Sequence, residues 1–357
     1  MQLTWCLSSR RTPCIARNLF GPEKRMRLAS TGIKLHPTYY ALPKRIDRSA
    51  AIDAPDADGI DQIGSRMNPP ETIAVTLNWR DLDRTRKCLR SLLSERGVSR
   101  VIVSDNESDG ALRAALVQET QLGEIVILEN SKNLGFARGI NPAIRAALAG
   151  DAKYIFIINN DAVVEKGAVA SLVELMERDE NLGLCAPLII NTDKSVQSRG
   201  SKLVPILAGV RPMREGGRDP DYVTWAAVLV RTETFVDIGL LDERFFMYWE
   251  DVEFCLRASG AGWGLAVCED AVVVHELSAS GRSIGSKVRT YYVASLVQFV
   301  SMRSRVWRIG LLVRIGKLLF ARILQLDPRG VLAVLSGIKT GRRLSRSPGQ
   351  GRPFARP

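Results

Sequence analysis

Three short segments of this 357-residue chain carry side chains that could do chemistry. In residues 242–257, DERFFMYWEDVEFCLR, four aromatics lead into two adjacent carboxylates. The aromatics are Phe245, Phe246, Tyr248 and Trp249, and the acids are Glu250 and Asp251. Helical spacing follows through Val252, Cys255 and Leu256. A carboxylate set against aromatic walls can serve as a general base. Two acids at a helix start can also simply cap its N–H groups, and this segment alone fits both readings. Glu253 and Arg257 lie four apart and read as a surface pair. The second segment, Asn159 to Asp161, closes the apolar run YIFIINND (154–161). A carboxylate there suits a hard divalent cation, Mg²⁺ or Mn²⁺, with phosphate oxygens on its other side. It equally suits a polar turn whose Asp accepts backbone N–H bonds. The third is His275, which ends AVVVH (271–275). It reads either as a structural histidine or as a neutral imidazole completing the oxygen site of Asp161.

The elements that must position these residues begin near residue 71. TIAVTLNW (72–79), VIVSD (101–105), EIVILEN (124–130) and YIFIINND (154–161) are short apolar strands. Helical patterns separate them at 81–95, 109–121 and 136–149, and another follows at 166–178. This alternation predicts βαβ units, an α/β class and a mostly parallel, Rossmann-like sheet with helices on both faces. Ligands on such sheets bind beyond the carboxyl ends of the strands. The polar residues at those ends are therefore the candidates: Asn78, Asp105, Asn106 and Asn159 to Asp161. No G-x-G-x-x-G follows the first strand, and no Walker loop is present, so dinucleotide and P-loop sites are excluded.

Charge divides the chain. Residues 1–66 hold 11 basic and 6 acidic side chains, residues 67–285 hold 24 and 31, and residues 286–357 hold 15 and 1. An acidic middle with basic ends argues against a nucleic-acid-binding core and for a tail that meets an anionic surface. Residues 1–70 lack periodicity, and Pro, Asp and Gly crowd 53–70. They read as an extension without fixed structure, with a faint transit-peptide character, or as sequence upstream of a start at Met67. The six cysteines form no C-x-x-C pair and read as reduced core residues of a cytosolic protein. No apolar run is long enough to span a membrane. In the basic tail, 286–346, Ile309, Leu312, Val313, Leu319, Phe320, Ile323 and Leu324 fall on one helical arc. Arg308, Arg314, Lys317 and Arg322 lie off it. This is the pattern of an interfacial helix on anionic lipid, or of a helix packed on the core with solvated arginines. Residues 347–357 read as an unstructured end.

Six motifs in order resemble those of glycosyltransferase family 2 enzymes of the GT-A fold. The likeness is closest to the rhamnosyltransferase-like branch that builds bacterial surface polysaccharides. TLNW (76–79) resembles the family's T-Y-N, and SDNESDG (104–110) its V-D-N-x-S-x-D-G. NLGFARGIN (133–141) resembles N-x-G-F-a-x-G-x-N, and INNDAVV (158–164) resembles L-N-x-D-x-x-V. LDERFFMYWEDVEFCLR (241–257) resembles D-E-x-F-F-m-y-x-E-D-x-D-l-c-x-R, and VVVHELSAS (272–280) the closing v-x-H-x-x-x-x-S. The resemblance spans residues 71–285 and implies a catalytic domain there.

The resemblance also implies roles. Thr76, Asn78 and Asp105 would face the nucleotide's base and ribose. Asn133, Arg138 and Asn141 would line the diphosphate and sugar side, with Asn106, Asn159 and Trp249 also on the substrate side. Asp161 would hold Mg²⁺ or Mn²⁺ against the diphosphate, with His275 as a further ligand. Asp251 would be the general base of an inverting transfer, and Glu250 would position hydroxyls. The donor would be a nucleoside-diphosphate sugar and the acceptor a glycan or lipid-linked hydroxyl. The enzyme would then work in the cytoplasm, peripherally at the inner face of the cytoplasmic membrane. Trp225-Ala226 stands where the family usually has Gly-Ala, so Trp225 would alter specificity or leave a GT-A-shaped binding protein without activity.

Overall fold

The computed structural model describes residues 72–107, 109–117, 125–276 and 286–346, all within the compact unit Ser65–Pro357. The expectations for residues 1–70 and 347–357 lie outside the described residues. The parallel half of the fold consists of β1 (Thr72–Asn78), α1 (Leu82–Leu93), β2 (Val98–Asp105), α2 (Ala111–Val117), β3 (Ile125–Glu129), α3 (Phe136–Leu148) and β4 (Tyr154–Asn159). The expected strand 154–161 splits here: Asn160 and Asp161 turn the chain, and β5 (Ala162–Val164) forms elsewhere in the sheet. There follow α4 (Ala168–Arg178), β6 (Leu182–Ile190), β7 (Val196–Ser198), the hairpin β8 (Ser201–Val204) and β9 (Gly209–Pro212), and β10 (Ala227–Arg231). The chain continues through α5 (Thr232–Ile238), α6 (Glu250–Gly260) and β11 (Gly264–His275) to α7 (Ser286–Ser301), α8 (Arg305–Leu324) and α9 (Pro328–Arg346).

Among the described residues, nine strands form one sheet in the order β3-β2-β1-β4-β10-β6-β11-β5, with β7 beside β6. β1 to β4 run parallel, as does the β6–β11 pair. β10 enters antiparallel between β4 and β6. Successive strand residues point to opposite faces, and both faces are covered. Ala74, Val103, Phe156 and Ile158 pack toward α1 and α4. Ile73, Val75, Ile102, Ile155 and Ile157 pack toward α3, α5 and α6. Near-continuous apolar strands are what a sheet buried on both faces requires.

The C-terminal region is three helices, not one surface helix. α7 is largely core: Val293, Leu296, Phe299 and Val300 are buried. Phe299 and Val300 join Phe245, Trp249, Val252 and Trp307 in a separate apolar cluster, so this part packs on the segment that carries the acids. α8 is the amphipathic element, but its arc is narrower than the sequence pattern implied. Leu319 packs inward with Ile315 and Leu318. Arg314 turns inward to donate to the Tyr292 hydroxyl at 3.0 Å, and Arg322 pairs with Asp327 at 3.6 Å. No described helix is long and apolar enough to cross a membrane.

Candidate active site

The carboxyl ends of β1, β2 and β4 lie side by side, Asn78 opposite Asp105 and Leu77 opposite Asn159. A cavity of about 390 Å³ opens there. Its walls include Asn106, Asn133, Asn159, Asp161, Glu250, Asp251 and His275. Seven polar residues from five separate sequence segments thus share one space.

The floor is a closed hydrogen-bond network. The Asn78 amide donates to Asp105 Oδ1 at 2.9 Å and accepts from the Thr85 hydroxyl at 2.6 Å. Asn106 donates to the Gly135 carbonyl at 2.9 Å and accepts from Asn130 at 2.8 Å. Thr76, Asn78 and Asp105 are fully buried beneath the cavity and are not part of its wall. The spacing of NLGFARGIN has a steric cause at both glycines. Gly135 has a φ of 82°, and a Cβ there would meet the Phe246 carbonyl oxygen at 2.2 Å. That close approach lets the Phe136 N–H donate to the same oxygen at 2.7 Å, joining α3 to the acid-bearing segment. A Cβ on Gly139 would meet Asn106 at 2.7 Å.

One face of the cavity carries Asp161 and His275. They are neighbours because β11 pairs antiparallel with β5, setting His275 against Ala162. His275 Nε2 lies 3.1 Å from Asp161 Oδ1. Arg84, which the sequence reading passed over, bridges Asp81 at 2.5 Å and Glu276 at 2.7 Å, and so ties the end of β11 to α1. One carboxylate and one imidazole facing a polar cavity fit a divalent cation that takes its remaining ligands from phosphate and water. No group of three or more His, Cys, Asp or Glu that could hold a metal occurs among the described residues.

The other acids start α6. Tyr248 and Trp249 both hold φ at 70°, an uncommon left-handed conformation for side chains of that size. That turn aims Glu250 and Asp251 into the cavity. Burial, then the neighbouring Asp251 charge, push the Glu250 carboxyl well above the usual range. Glu250 Oε2 is buried without a hydrogen-bond partner. Burial also raises Asp251, but the Tyr222 hydroxyl donates to its Oδ2 at 2.7 Å and the Val252 N–H to its Oδ1 at 2.8 Å. Both bonds favour the charged form. The environments therefore push the pair apart: burial and the Asp251 charge favour neutral Glu250, while the two bonds to Asp251 partly restore its charged form, the kind of division that separates acid from base roles. Tyr222 carries no motif signal in the sequence. Its only hint is its place just before TWAAVLVR, which becomes β10.

Three further expected substrate-side residues are not brought to the cavity wall. Arg138 is exposed and pairs with Glu243 at 3.8 Å. Asn141 is buried and donates to the Leu241 carbonyl and to Glu243, both at 3.0 Å, so it anchors α3 to the loop before Phe245. Trp249 turns away and packs on Phe299, Tyr292 and Trp307, because its left-handed backbone carries the ring opposite to its acidic neighbours. Trp225 borders the cavity, but the residue is only 3% exposed and its ring packs edge-on against Phe235 and Phe254. The Glu253–Arg257 pair is present at 2.9 Å, but Glu253 is buried, and Arg257 also holds the Ile238 and Leu240 carbonyls.

Comparison with known proteins agrees with this geometry. Residues 73–239 match the model of the family described as glycosyl transferase family 2. An N-acetylglucosaminyl-diphospho-decaprenol L-rhamnosyltransferase of Mycobacterium tuberculosis is 25% identical over 247 residues, 61% of this chain and 80% of that one. The dTDP-rhamnosyl transferase RfbF of Shigella flexneri is 24% identical over 266 residues, 67% of this chain and 86% of that one. Among solved structures, GalNAc-T7 with UDP, GalNAc and Mn²⁺ superposes with a TM-score of 0.56 at 14% identity, over 76% of this chain and about half (54%) of that one. That likeness speaks to the fold, which is the expected GT-A type. Residues 73–239 are a family 2 glycosyltransferase domain. The protein is a glycosyltransferase, and it resembles the rhamnosyltransferases of that family.

The Tyr222–Asp251 bond makes a pH prediction. The bond lowers the Asp251 carboxyl, so removing it in Tyr222→Phe raises that group further. The acidic limb of the pH–rate profile then moves to higher pH, and turnover at neutral pH falls about tenfold, the scale of one hydrogen bond to a charged group. An acid limb unmoved in Tyr222→Phe would detach Asp251 from the rate.

Proposed function

We propose that this enzyme is an inverting, metal-dependent transferase that moves a sugar from a nucleoside diphosphate to a hydroxyl of a glycan or lipid-linked acceptor. The observation that carries the reading is one cavity lined both by the Asp161–His275 pair and by the Glu250–Asp251 pair. Attack on an anomeric carbon needs an acceptor hydroxyl that loses its proton and a leaving diphosphate whose charge is neutralised. Asp251 takes the proton: it is oriented by the Tyr222 hydroxyl and the Val252 N–H, and both bonds favour its charged form. Glu250, whose neutral form is favoured by burial and by the Asp251 charge, can donate to a substrate oxygen in the same space. A single base acting on the face opposite the leaving group gives inversion. Asp161 and His275 would hold Mg²⁺ or Mn²⁺, which when bound supplies charge neutralisation to the departing diphosphate. Asn133 and Asn159 offer amides to sugar hydroxyls and phosphate oxygens, over a floor that Asn106 helps to hold. The relatives' names make dTDP-rhamnose the first donor to assay and a polyprenyl-diphosphate-linked sugar the first acceptor.

The same reading takes the protein to the cytoplasmic face of a membrane in cell-surface polysaccharide synthesis. The outward face of α8 and the turn after it support this. Leu312, Phe320, Ile323, Leu324 and Leu326 keep 60–88% of their surfaces exposed. Arg308 and Lys317 stand exposed beside them. Residues 286–357 hold 15 basic residues and 1 acid. Apolar side chains pointing outward amid a large excess of positive charge match an anionic lipid surface, where each basic residue near the surface adds about 1 kcal/mol.

Three outcomes follow. Asp251→Asn should bind dTDP as the wild type does and lose at least about 10²-fold in turnover; wild-type turnover would place the base elsewhere, with Glu250 next. Binding of dTDP should strengthen with Mn²⁺ over EDTA, and Asp161→Ala should abolish that difference; equal binding in both would remove the metal. The protein should sediment with phosphatidylglycerol vesicles, and the triple variant Leu312→Ser, Phe320→Ser, Ile323→Ser should not. All three positions are exposed, so unchanged vesicle binding by a folded variant would count against the docking face.

A further inference from the structure

The hairpin turn between β6 and β7 reaches the metal-side pair through a chain of side-chain hydrogen bonds whose direction can be read. Gln197 lies on β7, and its amide nitrogen donates to Asn191 Oδ1 at 2.8 Å and toward the His275 carbonyl oxygen at 3.4 Å. A backbone carbonyl can only accept, so the amide nitrogen faces it and Gln197 Oε1 faces the imidazole. His275 Nδ1 lies 2.7 Å from that oxygen and must therefore carry the proton. The rest of the chain gives the same direction independently. Asp193, whose carboxyl is held below its usual range by the Ser195 hydroxyl and N–H, accepts from that hydroxyl at 2.5 Å. The Ser195 oxygen then accepts from Asn191 Nδ2 at 2.8 Å, which leaves Asn191 Oδ1 free to accept from Gln197. Every donor points one way, from His275 out to Asp193.

With its proton on Nδ1, a neutral His275 presents a bare Nε2 to the cavity, 3.1 Å from Asp161 Oδ1. In that form the two acceptor atoms face a common point, as a cation's ligands must. The Asn159 amide nitrogen lies 3.4 Å from the same Nε2, a contact in which Nε2 accepts.

We propose that Gln197 is a positioning residue of this glycosyltransferase, holding His275 as the Nδ1–H tautomer so that Nε2 and Asp161 Oδ1 converge as a ready-made cation-binding pair. The inference rests on the divalent-metal reading above but acts at a residue that no motif singled out. Partners behind a ligating histidine fix its ring and tautomer, and their loss typically weakens metal binding by about 10- to 100-fold. The turn after β6 thereby acts on a site to which it contributes no ligand.

The test uses the full chain labelled with ¹⁵N-histidine, at about pH 8.5 where imidazole is ordinarily neutral. The chain has two histidines, and His36→Gln leaves His275 as the sole signal. Long-range ¹H–¹⁵N spectra of the metal-free protein should show the Nδ1–H tautomer. Gln197→Leu should lose it, and Gln197→Glu, which keeps an acceptor at the same reach, should retain it. Mn²⁺ binding in the presence of dTDP, followed by electron paramagnetic resonance, should weaken about 10- to 100-fold in Gln197→Leu and hold at or above wild type in Gln197→Glu. A persistent Nδ1–H tautomer in Gln197→Leu overturns the proposal, as does equal loss of Mn²⁺ affinity in both variants. A tautomer that follows Gln197 in a protein that binds no Mn²⁺ would uphold the positioning role and remove the metal reading instead.

Discussion

Everything at the acid side of the site depends on two consecutive residues held in a conformation they disfavour. Tyr248 and Trp249 both sit at φ 70°, where a large side chain costs on the order of 1–3 kcal/mol each. Such a turn persists only if its surroundings over-determine it. Trp249 is clamped by Phe299, Tyr292 and Trp307, with ring centroids 4.8, 6.2 and 6.5 Å away. The Ser295 hydroxyl donates to the Met247 carbonyl at 2.8 Å, and Phe246 packs on Tyr291 at 4.6 Å. From the opposite side Gly135 admits the Phe246 carbonyl against the start of α3. Relaxing the turn would rotate Glu250 and Asp251 out of the cavity and leave Trp249 without its pocket. The strain and the packing are two aspects of one arrangement.

The Asp161–His275 pair is held differently. It needs no strained backbone, because strand pairing does the work. The register of β5 on β11 sets Ala162 against His275, and the Glu276 N–H donates to the Asp161 carbonyl at 3.0 Å. A slip of β5 by one residue would turn its side chains to the other face of the sheet and carry Asp161, which leads into it, away from His275. Arg84 resists such a slip by fixing Glu276 to α1. The two halves of the site thus have separate supports, packing for the acids and register for the Asp161–His275 pair.

The sequence disclosed the first half of the fold because β1 to β4 and their helices obey local rules: apolar runs, 3.6-residue spacing and polar strand ends. It disclosed Asp161, His275, Glu250 and Asp251 because each stands at the end of such an element. It misplaced residues whose partners come from far along the chain. Asn141 and Arg138 look like site residues within NLGFARGIN, yet Glu243, about 100 residues later, takes both. Trp249 looks like a wall of the site until α7 supplies a deeper place for it. Tyr222 and Gln197 show the reverse. Nothing in their spacing marks them, and their importance appears only once β10 and β7 have docked. A glycine in a motif was legible as important, but the reason, a carbonyl oxygen within 2.2 Å of a would-be Cβ, was not.

The C-terminal helices looked like an appendage in charge and composition, and the packing makes them part of the site. Their inner surface is apolar because it must hold Trp249, and through it the acids. Trp307 stands on α8 and touches Trp249, while Leu312 and Phe320 of the same helix face outward. Gly310 brings that helix against the turn at 205–208, where a Cβ would meet the Pro205 carbonyl at 2.0 Å. α8 is therefore fixed on one side by contacts that leave it little freedom to lift away. An outward face presented on so constrained a helix keeps a set orientation relative to the cavity. A surface that engages this face would hold the cavity mouth at one angle to itself, which is what an enzyme acting on a lipid-linked acceptor requires. Orientation, more than tethering, is what a docked helix supplies and a flexible basic tail could not.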